Sequence, residues 1–182
     1  MGKGLDKDTI KTEDTRDMKT LFILITLSII AFTVQSQSAE EYSISAASKF
    51  KLKDFNGAIN DYTCLLELNP SSAETYISRG IAKDSLEFYN GAITDYTSAI
   101  EIEPTKSIYY FYRGKAKYKR RLYSLAILDY NKAIEIDPSN AVYYYAKGLA
   151  KANLGQDVCV DFGKAAKLGN QEANEFYKKY CD

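Results

Sequence analysis

The sequence predicts an all-α solenoid of stacked helix pairs, and three observations carry that expectation. The first is a repeat: Ala73–Pro104 shifted forward by 34 residues lands on Ser107–Pro138, and shifted back on Ala39–Pro70. The second is punctuation, because the only three prolines, Pro70, Pro104 and Pro138, close these units at the same place. The third is a pair of short helical patterns inside each unit. A period in this range means that one supersecondary unit is stacked on its neighbours, each burying the other's apolar face.

Places are numbered from Ala39, Ala73 and Ser107. The first half of each unit carries an aromatic at place 4 (Tyr42, Tyr76, Tyr110) and a small residue at place 8 (Ala46, Gly80, Gly114). The second half carries alanine at place 20 (Ala58, Ala92, Ala126), tyrosine at 24 (Tyr62, Tyr96, Tyr130) and a small or apolar residue at 27 (Leu65, Ala99, Ala133). Spacings of three, four and seven put the apolar residues on one helical face, while the small ones let two helices approach closely. Proline at place 32 cannot continue a helix, and a following Ser, Thr or Asn can cap the next one.

The expected helices are therefore Glu40–Leu52 and Phe55–Leu68, Ala73–Leu86 and Tyr89–Ile102, then Ser107–Arg120 and Tyr123–Ile136. A fourth unit begins at Ala141 and keeps Tyr144, Gly148, Lys151 and Leu154. Its second half arrives two residues early, with Asp161-Phe162 echoing Asp129-Tyr130, and Gly169 replaces the proline. A last helix, Gln171–Tyr180, is expected to cover the apolar end of the stack, since terminal repeats must present a polar outer face.

With aromatic-4, Gly/Ala-8, Ala-20, Tyr-24, Ala-27 and Pro-32 in place, the chain resembles a tetratricopeptide repeat (TPR) protein over about four-fifths of its length. The first unit departs at Ala46 and Leu65. Two further departures recur: Arg79, Arg113 and Lys147 at place 7, where the family has leucine, and Lys49, Lys83, Lys117 and Lys151 at place 11, where it has an aromatic. The resemblance implies a right-handed stack of three and a half helix-turn-helix repeats plus a C-terminal capping helix. Repeats span 39–72, 73–106 and 107–140, a degenerate one 141–169, and the cap 170–182.

The resemblance also implies a concave groove lined by the first helices. Here its residues are Ser43, Ala47, Phe50 and Lys51, then Ile77, Ile81 and Asp84, then Phe111, Lys115, Tyr118 and Lys119, and finally Tyr145 and Leu149. The two-carboxylate clamp of some TPR domains needs polar donors where Ala47 and Ile81 stand. Apolar and aromatic residues flanked by lysine instead suit an apolar or aromatic peptide, or a helix. The bland alternative is that neighbouring helices bury these residues. The tyrosines at places 4 and 24 are expected in the core. Asp61, Asp95, Asp129 and Asp161, recurring beside them with basic residues at place 7, are expected as ion pairs that hold helix register.

Composition narrows the class. Lys+Arg and Asp+Glu balance at 24 each, which argues against nucleic acid as the main partner. The one basic cluster, Lys115, Lys117, Lys119, Arg120 and Arg121, reads as a solvated helix face. There is no histidine, the commonest general base and metal ligand, and no phosphate loop, zinc pattern or nucleophile–base set. A non-catalytic scaffold without cofactor or metal is expected.

At the N-terminus, residues 1–17 are polar and charged without apolar periodicity. Lys19 then precedes an apolar run from Leu21 to Val34 that ends in small and polar residues. That is the anatomy of a signal peptide, 18–36, with cleavage after Ser36 leaving Gln37 first and a TPR domain over 37–182. Met18 resembles a natural start. The run is short of the ~20 residues of a membrane span. An uncleaved anchor, making the chain a membrane-held structural subunit, is the alternative, and only then is membrane a partner. In an exported protein thiols within reach pair. Cys159 and Cys181 lie on helices that a turn at Gly169-Asn170 would fold antiparallel, so a disulfide between them is expected, with Cys64 a buried thiol. Three reduced cysteines in a cytosolic adaptor is the rival.

Overall fold

A computed structural model describes residues 7–181, with the side chains of 7–17, 19 and 30–37 left undescribed. The expected cleavage after Ser36, with Val34 and Gln37 beside it, thus lies outside the described side chains. The helices are α1 (Lys7–Lys51), α2 (Phe55–Leu68), α3 (Ala73–Ser85), α4 (Tyr89–Ile102), α5 (Ser107–Lys119), α6 (Tyr123–Ile136), α7 (Ala141–Ala152), α8 (Cys159–Lys167) and α9 (Gln171–Tyr180). The chain divides into two units, Met1–Glu41 and Tyr42–Asp182, and the helix pairs of the repeats form the second. Among the described residues no strand occurs, and no helix is long and apolar enough to cross a membrane.

The first helix differs from expectation: it starts at Lys7, whereas the sequence placed a helix near Glu40 and none in the polar leader. No glycine or proline stands between Leu5 and Asn56, so nothing in the backbone interrupts a helix once begun. Periodicity reports a buried face, and the described side chains of this stretch, 18 and 20–29, show none. Leu21, Phe22, Ile23 and Leu24 are all exposed.

Each first helix ends in the same way. Glu87 N–H donates to the Asp84 carbonyl and Phe88 N–H to that of Lys83, the paired bonds of a Schellman motif. Arg121 and Leu122 repeat this onto Tyr118 and Lys117, and Gly155 and Gln156 onto Ala152 and Lys151. The motif requires a left-handed residue at place 15, where Lys53, Glu87, Arg121 and Gly155 have φ of 62°, 61°, 59° and 66°. Only the fourth repeat uses glycine. At the next helix start, Ser72 and Asn140 accept from Thr75 N–H and Val142 N–H as the sequence suggested, but Lys106 stands at the cap of α5 without a side-chain bond.

Inside each pair the two odd places of the sequence find their reason. Asp95 is 1% exposed, and Arg79 Nη2 lies 2.7 Å from its Oδ1 while Lys83 Nζ lies 2.7 Å from its Oδ2. Arg113 and Lys117 hold Asp129 at the same two distances, and Lys147 and Lys151 hold Asp161 at 2.7 and 2.6 Å. In the first repeat Ser45 stands at place 7, and Lys49 alone reaches Asp61, at 2.8 Å. Although burial works against the charge of Asp61, the Lys49 ammonium and the nearby Ser45 hydroxyl hold its pKa below the ordinary value. The basic residues at 7 and 11 are thus one polar device: a buried carboxylate on the second helix clamped by two cations a turn apart on the first.

The arginines also reach backward. Arg79 Nη1 donates to Thr63 Oγ1 at 3.1 Å and Arg113 Nη1 to Thr97 Oγ1 at 3.3 Å, so one side chain ties its own repeat to the one before. Each lies over the place-4 ring, Arg79 at 5.6 Å from the Tyr76 centroid and Arg113 at 5.7 Å from that of Tyr110. Place 4 is consequently less uniform than expected. Tyr110 is buried, Tyr76 and Tyr144 are half-buried, and Tyr42, with no repeat before it, is 37% exposed.

Place 24 is core, most completely in the later repeats: Tyr96, Tyr130 and Phe162 are among the largest fully enclosed side chains, while Tyr62 in the first repeat is half-buried. Each enclosed ring lies where place 8 has no side chain. A Cβ on Gly80, Gly114 or Gly148 would stand 2.5, 2.7 or 2.6 Å from the ring atoms of Tyr96, Tyr130 or Phe162.

Helix α9 packs on α8 as a fifth first helix, with Asn170 capping it. At its places 7, 8 and 11 stand Tyr177, Lys178 and Cys181, so the cations are replaced and the glycine is filled. The Sγ atoms of Cys159 and Cys181 lie at bonding distance, with the Cα atoms 5.5 Å apart. Cys64 is half-buried rather than buried.

Replacing Asp95 by alanine leaves two cations facing a dry interior and is expected to cost about 3 kcal/mol or more in denaturant unfolding. Gly114→Ala is expected to destabilise by ~1–3 kcal/mol, because overpacking against Tyr130 outweighs the ~1 kcal/mol that alanine gains in a helix. Arg121→Gly, at an exposed left-handed position, is expected to stabilise by roughly 0.5–1 kcal/mol in the same measurement.

Candidate peptide-binding groove

The residues expected to line a groove come from successive first helices, and the fold brings several into contact across repeats. Asp84 on α3 faces α5, with its Oδ2 3.8 Å from Lys115 Nζ. Its Oδ1 is buried and has no hydrogen-bond partner among the described residues. Burial pushes the Asp84 carboxyl above its ordinary pKa, and the charges of Lys115 and Lys119 only partly oppose this. From the next repeat, Asn153 Nδ2 on the turn after α7 donates to Tyr118 Oη at 3.0 Å. The Tyr118 ring packs edge-on against Tyr123, centroids 5.3 Å apart.

Other expected members are drawn inward. Ile77 is 8% exposed and belongs to the core that also holds Tyr96 and Tyr109, and Ile81 is half-buried against it. Phe111 is half-buried, with its ring 5.3 Å from Tyr143 and 6.0 Å from Tyr130. Phe50 packs edge-on against Phe55 at 5.3 Å. At the N-terminal end, Ser43, Ala47 and Lys51 are exposed. The middle of the expected apolar stripe thus serves mainly to pack first helices together. What remains open there is polar, Lys115 and Lys119, with Asp84 half-buried beside them.

The basic cluster noted in the sequence is dispersed by the fold. Lys117 is committed to the buried Asp129, Lys115 faces Asp84, and Arg121 occupies a turn. Among the described residues no group of His, Cys, Asp or Glu is arranged to hold a metal ion.

The apolar character is concentrated at the C-terminal end. Tyr145 and Leu149 on α7 are joined there by residues the groove expectation did not include. Leu149, Ala152, Val158, Phe162, Phe176 and Tyr180 line a cleft of about 320 Å³. Its rings form a series, Tyr145 to Phe162 at 5.8 Å, Phe162 to Phe176 at 5.4 Å and Phe176 to Tyr180 at 5.8 Å. Phe176 is 38% exposed and Tyr180 61%, so this apolar surface faces outward. Burial pushes the Tyr145 phenol above its usual pKa. The signal that could have found Phe176 and Tyr180 is their spacing of one helical turn on the helix expected to cover the stack.

For Asp84 the pH dependence follows from its raised pKa. Between the unfolded and folded pKa values the folded state binds more protons, so stability falls as pH rises through that window. Asp84→Asn is therefore expected to raise the unfolding midpoint near neutral pH and to lose this advantage at acidic pH, where the carboxyl is protonated in both states.

Comparison with known proteins gives a family model and a set of structures. The model described as a TPR repeat matches residues 123–155. No curated protein matches the sequence at a significant level. The TPR domain of OM64 from Arabidopsis is 26% identical, covering 65% of this chain and 98% of its own, with a TM-score of 0.61. A MamA double mutant of strain RS-1 is 19% identical over 77% of this chain and 81% of its own, at 0.72. The first TPR of Spaghetti (RPAP3), solved with the HSP90 peptide SRMEEVD, is 22% identical over 66% and 96%, at 0.63. For the last two the likeness is one of fold.

Proposed function

Because the chain is a tetratricopeptide repeat protein, we propose that it is a non-catalytic scaffold that holds a protein or peptide by an apolar or aromatic segment. The observation that carries this reading is the outward-facing aromatic cleft at the end of the groove, around Leu149, Phe162, Phe176 and Tyr180. An apolar pocket of a few hundred Å³ with few polar groups suits one or two anchoring side chains. The RPAP3 domain was solved with a peptide, which supports a peptide as the kind of ligand. An acidic peptide tail is disfavoured, since Ala47 and Ile81 provide no side-chain donors.

The mechanism is complementarity of a preformed surface. The clamped aspartates and the interlocked ring–glycine pairs fix the first helices, so little ordering cost is left to the binding event. In this reading the protein is exported to the periplasm or cell envelope, its leader removed after Ser36. The Cys159–Cys181 bond then forms there and holds the wall of the cleft next to Tyr180. Closing a loop of 22 residues contributes ~3 kcal/mol in the chain-entropy picture.

Two measurements test this. Peptides selected by display against the protein are expected to be enriched in Phe, Leu and Tyr. Leu149→Glu or Tyr180→Ala is expected to weaken them at least ~10-fold, about 1.4 kcal/mol, while Leu128→Lys on the exposed side of α6 has no effect. Selected peptides indifferent to both cleft substitutions would overturn the groove reading. Intact mass of the protein from its own cells is expected to begin at Gln37 and to lack a pair of hydrogens until reductant is added. A full-length mass in a membrane fraction would make the anchored structural subunit the better description.

A further inference from the structure

A second open site lies at the end of the stack, away from the aromatic cleft. We propose that the slot between α8 and α9 seats an acidic amphipathic helix of a partner protein. The slot has a volume of about 590 Å³, with Val160, Gly163, Lys164, Lys167, Tyr177 and Lys178 among its lining.

The fold itself states what such a slot accepts. In the second repeat, Arg79 on α3 lies between Thr63 of α2 and Asp95 of α4, so the slot between α2 and α3 is filled by a helix that brings a carboxylate. Arg113 marks the same slot between α4 and α5, filled by α6 with Asp129. In the α8–α9 slot, Gly163 follows Asp161 by two residues as Thr63 follows Asp61, and Tyr177 stands seven after the cap Asn170 as Arg79 does after Ser72. A Cβ on Gly163 would meet Tyr177 at 2.8 Å, which confirms that these two places adjoin. No described helix lies in this position.

Charge and shape specify the occupant. Lys164, Lys167 and Lys178 line the slot and none has an ion-pair partner among the described residues, whereas Lys83, Lys117, Lys147 and Lys151 all do. Val160, 75% exposed, and the small residues Gly163 and Ala166 offer an apolar floor to a helix backbone. Lys178 fills the place that is glycine in the inner repeats, where a tyrosine or phenylalanine of the incoming helix rests. The partner helix therefore carries a small residue at that position and carboxylates within reach of the three ammonium groups.

The probe is a synthetic peptide with the sequence of residues 89–104, which has Asp95, Glu101 and Glu103 and no basic residue, with the change Tyr96→Ala. Added to the protein, it is expected to shift the backbone amide signals of Gly163, Ala166 and Tyr177. Its affinity should fall at least ~10-fold in a Lys164→Gln/Lys167→Gln/Lys178→Gln variant and with rising salt. The peptide that keeps Tyr96 should bind more weakly. Unchanged thermal unfolding of the variant excludes misfolding as the cause. The proposal is overturned by absence of binding at millimolar peptide, by equal affinity for the triple variant, or by shifts confined to Leu149, Phe176 and Tyr180. It is equally overturned if phosphatidylglycerol vesicles compete for the three lysines, or if the protein alone self-associates through them.

Discussion

The buried carboxylate at the heart of each helix pair is the constraint on which the rest of this structure depends. Asp95, Asp129 and Asp161 sit in an interior that would reject a lone charge, and each is held by two cations from the facing helix. Such clamps add little net stability over a well-packed apolar core, because desolvating the charges consumes most of the attraction. They do penalise any misregistration heavily, since a slip by one residue would leave three charges unpaired in a dry space. The arginines extend the same constraint across repeats through Thr63 and Thr97, so register passes from one pair to the next.

Sterics supply the complement. A ring at place 24 and a glycine at place 8 bring the helices of a pair close enough for lysine and arginine to reach the aspartate. Clamp and close approach need one another, which is why they fade together at the ends. The first repeat has Ala46 and one lysine, and its Tyr62 is only half-buried. The cap has Lys178 and no cation at the clamp places. The stack is thus most tightly specified in its middle, and its open surfaces collect at its end.

That distribution bears on function. First helices locked against one another offer a rigid wall, and the aromatic cleft lies where the wall ends and the rings of α9 face outward. On the other side of α9, the slot beside α8 exposes lysines that have no ion-pair partner among the described residues. A single short helix therefore shapes two surfaces of opposite character, one apolar and one basic.

Much of the fold was legible in the sequence. A repeat of 34 residues with proline at its close located α2, α4 and α6 to the residue, because proline and the place-15 turn are local constraints that act wherever the chain goes. The antiparallel course that brings Cys159 and Cys181 near each other was also within reach, since one turn joins two short helices. The sequence marked places 7 and 11 as departures from the family and read the aspartates as ion pairs, but it did not show that both cations meet on one carboxylate. The helix over the N-terminal segment escaped it too, because its described side chains form no buried face and so leave no period to read. Tertiary structure alone decided which residues of the first helices remain available. Ile77 shares the groove pattern with Leu149, yet its neighbours bury it, while Leu149 is half-buried beside a cap whose outer face nothing among the described residues covers. Residue type and spacing determine which face of a helix is apolar; whether that face is core or site depends on what packs against it.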